Sequence, residues 1–141
     1  MTHAWNGILA LTAAALLSGA IGAAQAQQGA PDIRLNVHVD VAGLHPSISF
    51  VRVLCEVNSG PRTPGLALGQ TDLPVSEGAA LGDVTVDISV DDGRLADATH
   101  YGCRLMLVAP GLVCAANPET PADHPCAFDP DRSTVHLEGE L

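Results

Sequence analysis

The chain is 141 residues long, with six basic residues against sixteen acidic ones and a formal net charge of −10. That balance repels phosphate backbones and anionic bilayers, so nucleic acid and membrane surfaces are poor partners, while solubility or a cationic protein partner would suit it. Only 3% of residues are aromatic, so a core must be built from valine, leucine and isoleucine.

The first element is the apolar, charge-free run Ile8–Ala24, closed by Ala24-Gln25-Ala26. The small-x-small ending reads as a signal peptide over residues 1–26, cleaved to leave Gln27 as the new N-terminus, although the preceding "MTHAWNG" carries no Lys or Arg. A membrane anchor is the competing reading, but the run is short of the roughly 20 residues that span a bilayer and has no basic flank. No cysteine stands near the cut, so a lipid anchor is not expected. Residues 27–141 then form a single domain, exported to the periplasm or secreted, with no stable membrane insertion after cleavage.

Beyond the short arm Gln27–Pro31, Ile33, Leu35, Val37, Val39 and Val41 alternate with Arg34, Asn36, His38 and Asp40, the pattern of a strand with one dry face. Ile48–Val57 repeats it, with Val51, Val53, Cys55 and Val57 on one face and Arg52 and Glu56 on the other. "NSGPRTPG" (Asn58–Gly65) is loop. Leu66–Leu73 reads as a short strand interrupted by Gly69, and "PVSEGAALG" as a connector. Val84, Val86, Ile88 and Val90 alternate inward along the next strand, and His100–Val108 forms another. Periodicity then dissolves from Ala109 to Arg132, a long loop of the kind that carries function. Val135 and Leu137 mark a last strand in "STVHLEGEL". Short strands between turn clusters, with no amphipathic helix, specify an all-β antiparallel sandwich or small barrel of about seven strands.

Four cysteines, Cys55, Cys103, Cys114 and Cys126, in an exported chain read as two disulfides with three possible connectivities. Cys103 shares a face with Tyr101, Leu105 and Leu107, and Cys55 lies on the valine face of its own strand. Both point into the core, so a bridge across two packed sheets is geometrically reasonable; Cys114 would then pair with Cys126 inside the long loop.

The stretch Asp97-Ala98-Thr99-His100-Tyr101-Gly102-Cys103 resembles the Asp-x-Ala-x-Tyr-x-Cys signature of immunoglobulin variable-type domains. The resemblance implies an immunoglobulin-like or fibronectin-like sandwich with Cys55 on strand B and Cys103 on strand F. It also implies a structural corner at Asp97 and Tyr101, in which the tyrosine hydroxyl bonds back to the preceding turn. The alternative for Tyr101 is an ordinary amphipathic core residue.

Candidate chemistry is sparse. Cys114, His124 and Cys126 could ligate zinc or copper only with both cysteines as free thiolates, so a disulfide outweighs a metal site, and no cofactor is expected. His38, His100 and His136 fall on wet or edge positions. Asp91-Asp92-Gly93 and Asp129-Pro130-Asp131 offer oxygen ligands for calcium but read as turns. No Gly-x-Ser-x-Gly, phosphate loop or His-Glu-x-x-His motif is present, so the expectation is a non-enzyme. The sequence points to a binding or structural module working through the bridged Ala109–Arg132 loop. His124, Phe128 and Arg132 are the candidate contact residues, and Asn58–Gly65 is a second patch. An inhibitor of a cationic hydrolase, a metal-handling protein and an assembly strand at Ile33–Val41 are the alternatives.

Overall fold

Strict alternation in Ile33–Val41 produces β1 with its odd-numbered residues inward, buried from Val37 onward. β1 pairs antiparallel with β4 (Ala80–Ile88) along its whole length, Ile33 opposite Ile88 and Val41 opposite Ala80. The computed structural model describes residues 30–91, 93–134 and 136–141; the expected signal peptide, residues 1–26, lies outside them.

The second sheet is built on β2 (Phe50–Asn58), which pairs with β3 (Gly65–Pro74) on one side and β5 (His100–Ala109) on the other. The far edge of β5 is shared. β6 (Leu112–Ala115) covers its C-terminal half and β7 (His136–Glu140) its N-terminal half. The strand order is β3-β2-β5-β6, with β7 also on β5, beside β1-β4. The all-β antiparallel sandwich is therefore observed, with two 3-10 turns, Leu95–Asp97 and Pro130–Arg132, as its only helical elements among the described residues.

The two inner faces meet in a dry core. Val37, Val39, Val41, Val84, Val86 and Ile88 face Val51, Val53, Val57, Leu105 and Leu107, and among the described residues no polar side chain is buried. One side of the sandwich is closed by a corner. Ser76 and Ala79 exchange backbone hydrogen bonds around Glu77 (φ 53°) and Gly78 (φ 74°), the left-handed pair that a tight primed hairpin turn requires. β3 and β4 leave that turn antiparallel but splay into different sheets. At Gly69 the backbones come so close that a Cβ would sit 2.5 Å from the Asp87 carbonyl oxygen.

Three expectations are corrected. Cys55 and Cys103 are bridged, but as direct neighbours in one sheet with Cα atoms 4.0 Å apart, not across the two sheets. Parity fixes which face a residue occupies and is blind to which strand lies next to it, so facing and adjacent partners satisfy it equally. Second, Ala80–Gly82, expected to end a connector, are instead the first residues of β4. Third, the Ala109–Arg132 stretch is not loop throughout, because Pro110 and Gly111 (φ 75°) turn the chain into β6.

The outer faces carry polar cross-strand pairs. Arg34 binds Asp87, His38 lies 2.7 Å from Asp83, and Arg52 grips Asp72 with both Nε and Nη2 at 2.8 and 2.9 Å. The hydrogen bonds from Arg52, with help from its charge and against partial burial, hold the Asp72 carboxyl below the ordinary carboxylate range.

Candidate functional site

The side of the sandwich opposite the β3–β4 corner is crossed by one segment, residues 116–134. It starts on the five-stranded sheet, where the Ala116 N–H donates to the Leu105 carbonyl. It ends on the other sheet, where the Asp129 N–H donates to the Ala42 carbonyl and the Thr134 N–H to the Asp40 carbonyl. Ser133 ties the junction further, its Oγ donating to the Asp129 carbonyl and accepting from the Ala42 N–H. The segment is a strap over the seam between the sheets. It has an inner face and an outer face.

Its inner face is apolar. Cys126 is 1% exposed and joined to Cys114, and Phe128 and Ala116 pack against the core. Its outer face is a chain of tight turns. The Asn117 Oδ1 accepts from the Glu119 N–H, and the Asn117 carbonyl from the Thr120 N–H. The Pro121 carbonyl takes the His124 N–H, and the His124 carbonyl takes the Ala127 N–H. The His124 ring also works locally, Nδ1 accepting from the Cys126 N–H at 3.1 Å. These bonds satisfy backbone groups that a wandering loop would leave to water, and the bridge closes the same stretch covalently. Pro118, Glu119, Pro121, Ala122, Asp123 and His124 are left facing solvent.

The electrostatics of this rim are one-sided. Among the described residues, the arginine ion pairs lie on the sheets, at Arg34 and Arg52, whereas Glu119 and Asp123 enter no ion pair. Asp129 does local work by capping the Pro130–Arg132 turn through the Asp131 N–H, so Asp129-Pro130-Asp131 is a turn as its residue types suggest. Arg132 lies past the strap's tight turns, beside a shallow groove shared with Asp40, Asp131, Ser133 and Thr134. His124, Phe128 and Arg132 thus occupy three different settings: outer rim, inner face and far end.

Tyr101 has a different neighbour from the one the resemblance implies. Its ring lies against Gly139 of β7, where a Cβ would come within 2.7 Å of Cε1, and its hydroxyl forms no hydrogen bond among the described residues. Asp97 sits in the 3-10 turn, its N–H donating to the Arg94 carbonyl. A bond from the tyrosine to the preceding turn is not formed among these residues.

Sequence reasoning missed a depression of about 110 Å³ on the outer face of the five-stranded sheet, centred on Gly102 and lined by Leu54, Glu56, Asn58, Leu68 and Arg104. Gly102 has no side chain to fill the place between its neighbours, and among the described residues the buried Asn58 Oδ1 has no hydrogen-bond partner. The signal was present in Gly102, which stands between His100 and Arg104 on a polar face. The second expected patch borders it, since Asn58, Pro61 and Arg62 line an adjoining groove with His100 and Tyr101.

Both cysteine pairs are closed and no cysteine is free among the described residues, which fits an oxidising, extracytoplasmic compartment. The same bond spends the two sulfurs that a Cys114/His124/Cys126 metal site would need. Among the described residues no helix is long and apolar enough to cross a membrane. No protein-family model, curated protein sequence or solved structure matches the chain.

Proposed function

We propose that this protein is a non-catalytic binding module of the periplasm or the extracellular space, released from its signal peptide after Ala26, that presents the outer rim of the strap to a basic protein partner. One observation carries this reading: residues 116–129 are held by the Cys114–Cys126 bridge and consecutive turns, while Glu119 and Asp123 face solvent and, among the described residues, enter no ion pair. A surface ordered before it meets its partner loses less entropy on binding than a mobile loop. A surplus of unpaired carboxylates on a chain of net charge −10 favours encounter with a cationic surface and disfavours an anionic one.

The narrower version is sequestration of a cationic hydrolase, for which a basic lysozyme is a suitable probe. Titration of the lysozyme with the mature protein should give binding that weakens as salt screens the encounter. Glu119→Gln with Asp123→Asn should weaken it about three- to tenfold at low salt without changing the melting temperature, as expected for two rim charges. Binding that ignores both salt and the two substitutions, or no binding at low salt, overturns this version of the reading.

A further inference from the structure

We infer that the free edge of β1 is a self-association edge, at which a second copy of this chain pairs antiparallel to complete the two-stranded sheet. The inference is independent of the proposed function.

The edge is defined by backbone parity. The carbonyls of Asp40 and Ala42 accept from the strap, and the Ala42 N–H donates to it, so even-numbered residues of β1 turn their backbone groups away from β4. The strap ends there. Toward the N-terminal end, the N–H and C=O groups of Arg34, Asn36 and His38 face the same edge, and Asp40–Thr134 is the one bridge found on it among the described residues. Such a row is a template for another strand.

Burial falls away over the same stretch. Val39 and Val41 are fully buried and Val37 is 3% exposed, but Ile33 and Leu35, on the same face, are only half-buried. The opposite side of the sheet offers no such edge, because β3 lies against β4 there, with Gly69 over Asp87 and the Thr71 hydroxyl donating to the Thr85 carbonyl.

The self-complementary side-chain pattern of this edge selects a second copy as the occupant. A two-fold axis at Leu35 brings the half-buried Leu35 of each copy together and sets Ile33 opposite Val37. On the outer face it sets Arg34 opposite Asn36 and Asp32 opposite His38, so no like charges face each other. The Asn36 Oδ1 already accepts from the Thr85 hydroxyl, which leaves its amide N–H groups to donate across the axis. This register also keeps the strap of each copy, whose contact with β1 begins at Asp40, beyond the paired stretch.

Sedimentation of the mature protein over a range of concentrations tests the inference. Wild type should show a reversible monomer–dimer equilibrium that tightens as salt screens the repulsion between two chains of net charge −10. That is the opposite salt response from binding to a basic partner. Among the described residues the Asn36 backbone N–H is not used by the fold, so Asn36→Pro should raise the dimer dissociation constant roughly tenfold or more, with Asn36→Ala, which loses only the side-chain amide, raising it less. If Asn36→Pro fails to fold, a peptide of residues 32–38 should compete with dimerisation of the wild type, and the same peptide N-methylated at Asn36 should not. A wild type that stays monomeric, a dimer that survives folded Asn36→Pro, or equal competition by the two peptides overturns the inference.

Discussion

Replacing both Cys55 and Cys103 with alanine is expected to lower the unfolding free energy by about 4 kcal/mol, the largest loss available from any covalent change in the chain. The bridge spans 48 residues, and closing a loop of that length restricts the unfolded chain far more than the strap bridge, which spans 12 and contributes about 3 kcal/mol on the same reasoning. Both sulfurs lie in the core between the sheets, so truncation also removes packed volume. With a stability of roughly 5–15 kcal/mol typical of a domain, much of the margin would go. Urea denaturation of the oxidised proteins checks it through the shift in midpoint. A double variant within about 1 kcal/mol of wild type would show that the β2–β5 ladder closes this contact unaided.

Gly69→Val should be strongly destabilising although it removes no contact. A Cβ at position 69 would lie 2.5 Å from the Asp87 carbonyl oxygen, 2.7 Å from Ile88 Cγ1 and 3.0 Å from Val86 Cγ1. Two of those neighbours belong to the core, and the first is backbone held in the β1–β4 ladder, so no flexible side chain can swing aside. Relief requires β3 and β4 to separate, which opens the corner of the sandwich. Overpacking of this kind costs about 1–3 kcal/mol for modest additions, and the branched valine lies at or above that upper end. Gly69→Ala should show the smaller loss and Gly102→Ala almost none, since nothing lies within 4 Å of a Cβ there. Thermal melts of the three variants rank them. Equal melting temperatures would mean that the corner is looser than the structure shows.

Gly69 also illustrates what was legible in the sequence. Alternation identified β1, β2, β4 and β5 because each has one dry face, and a dry face writes itself into the sequence at period two. In β3 the glycine looked like an interruption, whereas it is what lets a ten-residue strand lie against β4. That requirement comes from a strand distant in the chain, so no local pattern reports it. β6 was lost for a related reason. It has four residues, too few for alternation to declare itself between a turn and a proline-rich stretch.

The candidate site was legible in outline and misread in orientation. The cysteine count and the loss of periodicity marked residues 109–132 as a constrained segment. They could not say which side of it faces water. Phe128 turns inward because the seam between the sheets needs an apolar cover there, and His124 turns its Nδ1 onto its own backbone. The acidic rim at Glu119 and Asp123 is inconspicuous in the sequence, because two carboxylates in a chain of sixteen acidic residues stand out only once their place on the exposed outer face of the strap is known.

Amide hydrogen exchange across residues 116–134, with the Cys114–Cys126 bridge intact and in the Cys114→Ala, Cys126→Ala variant, tests most directly that the bridge pre-orders the strap. The account predicts protected amides at Thr120, His124, Cys126 and Ala127 in the bridged protein. In the variant these should exchange much faster while the β2–β5 ladder keeps its protection. Strap amides that exchange at unfolded-chain rates with the bridge closed, or that stay protected without it, would contradict that account.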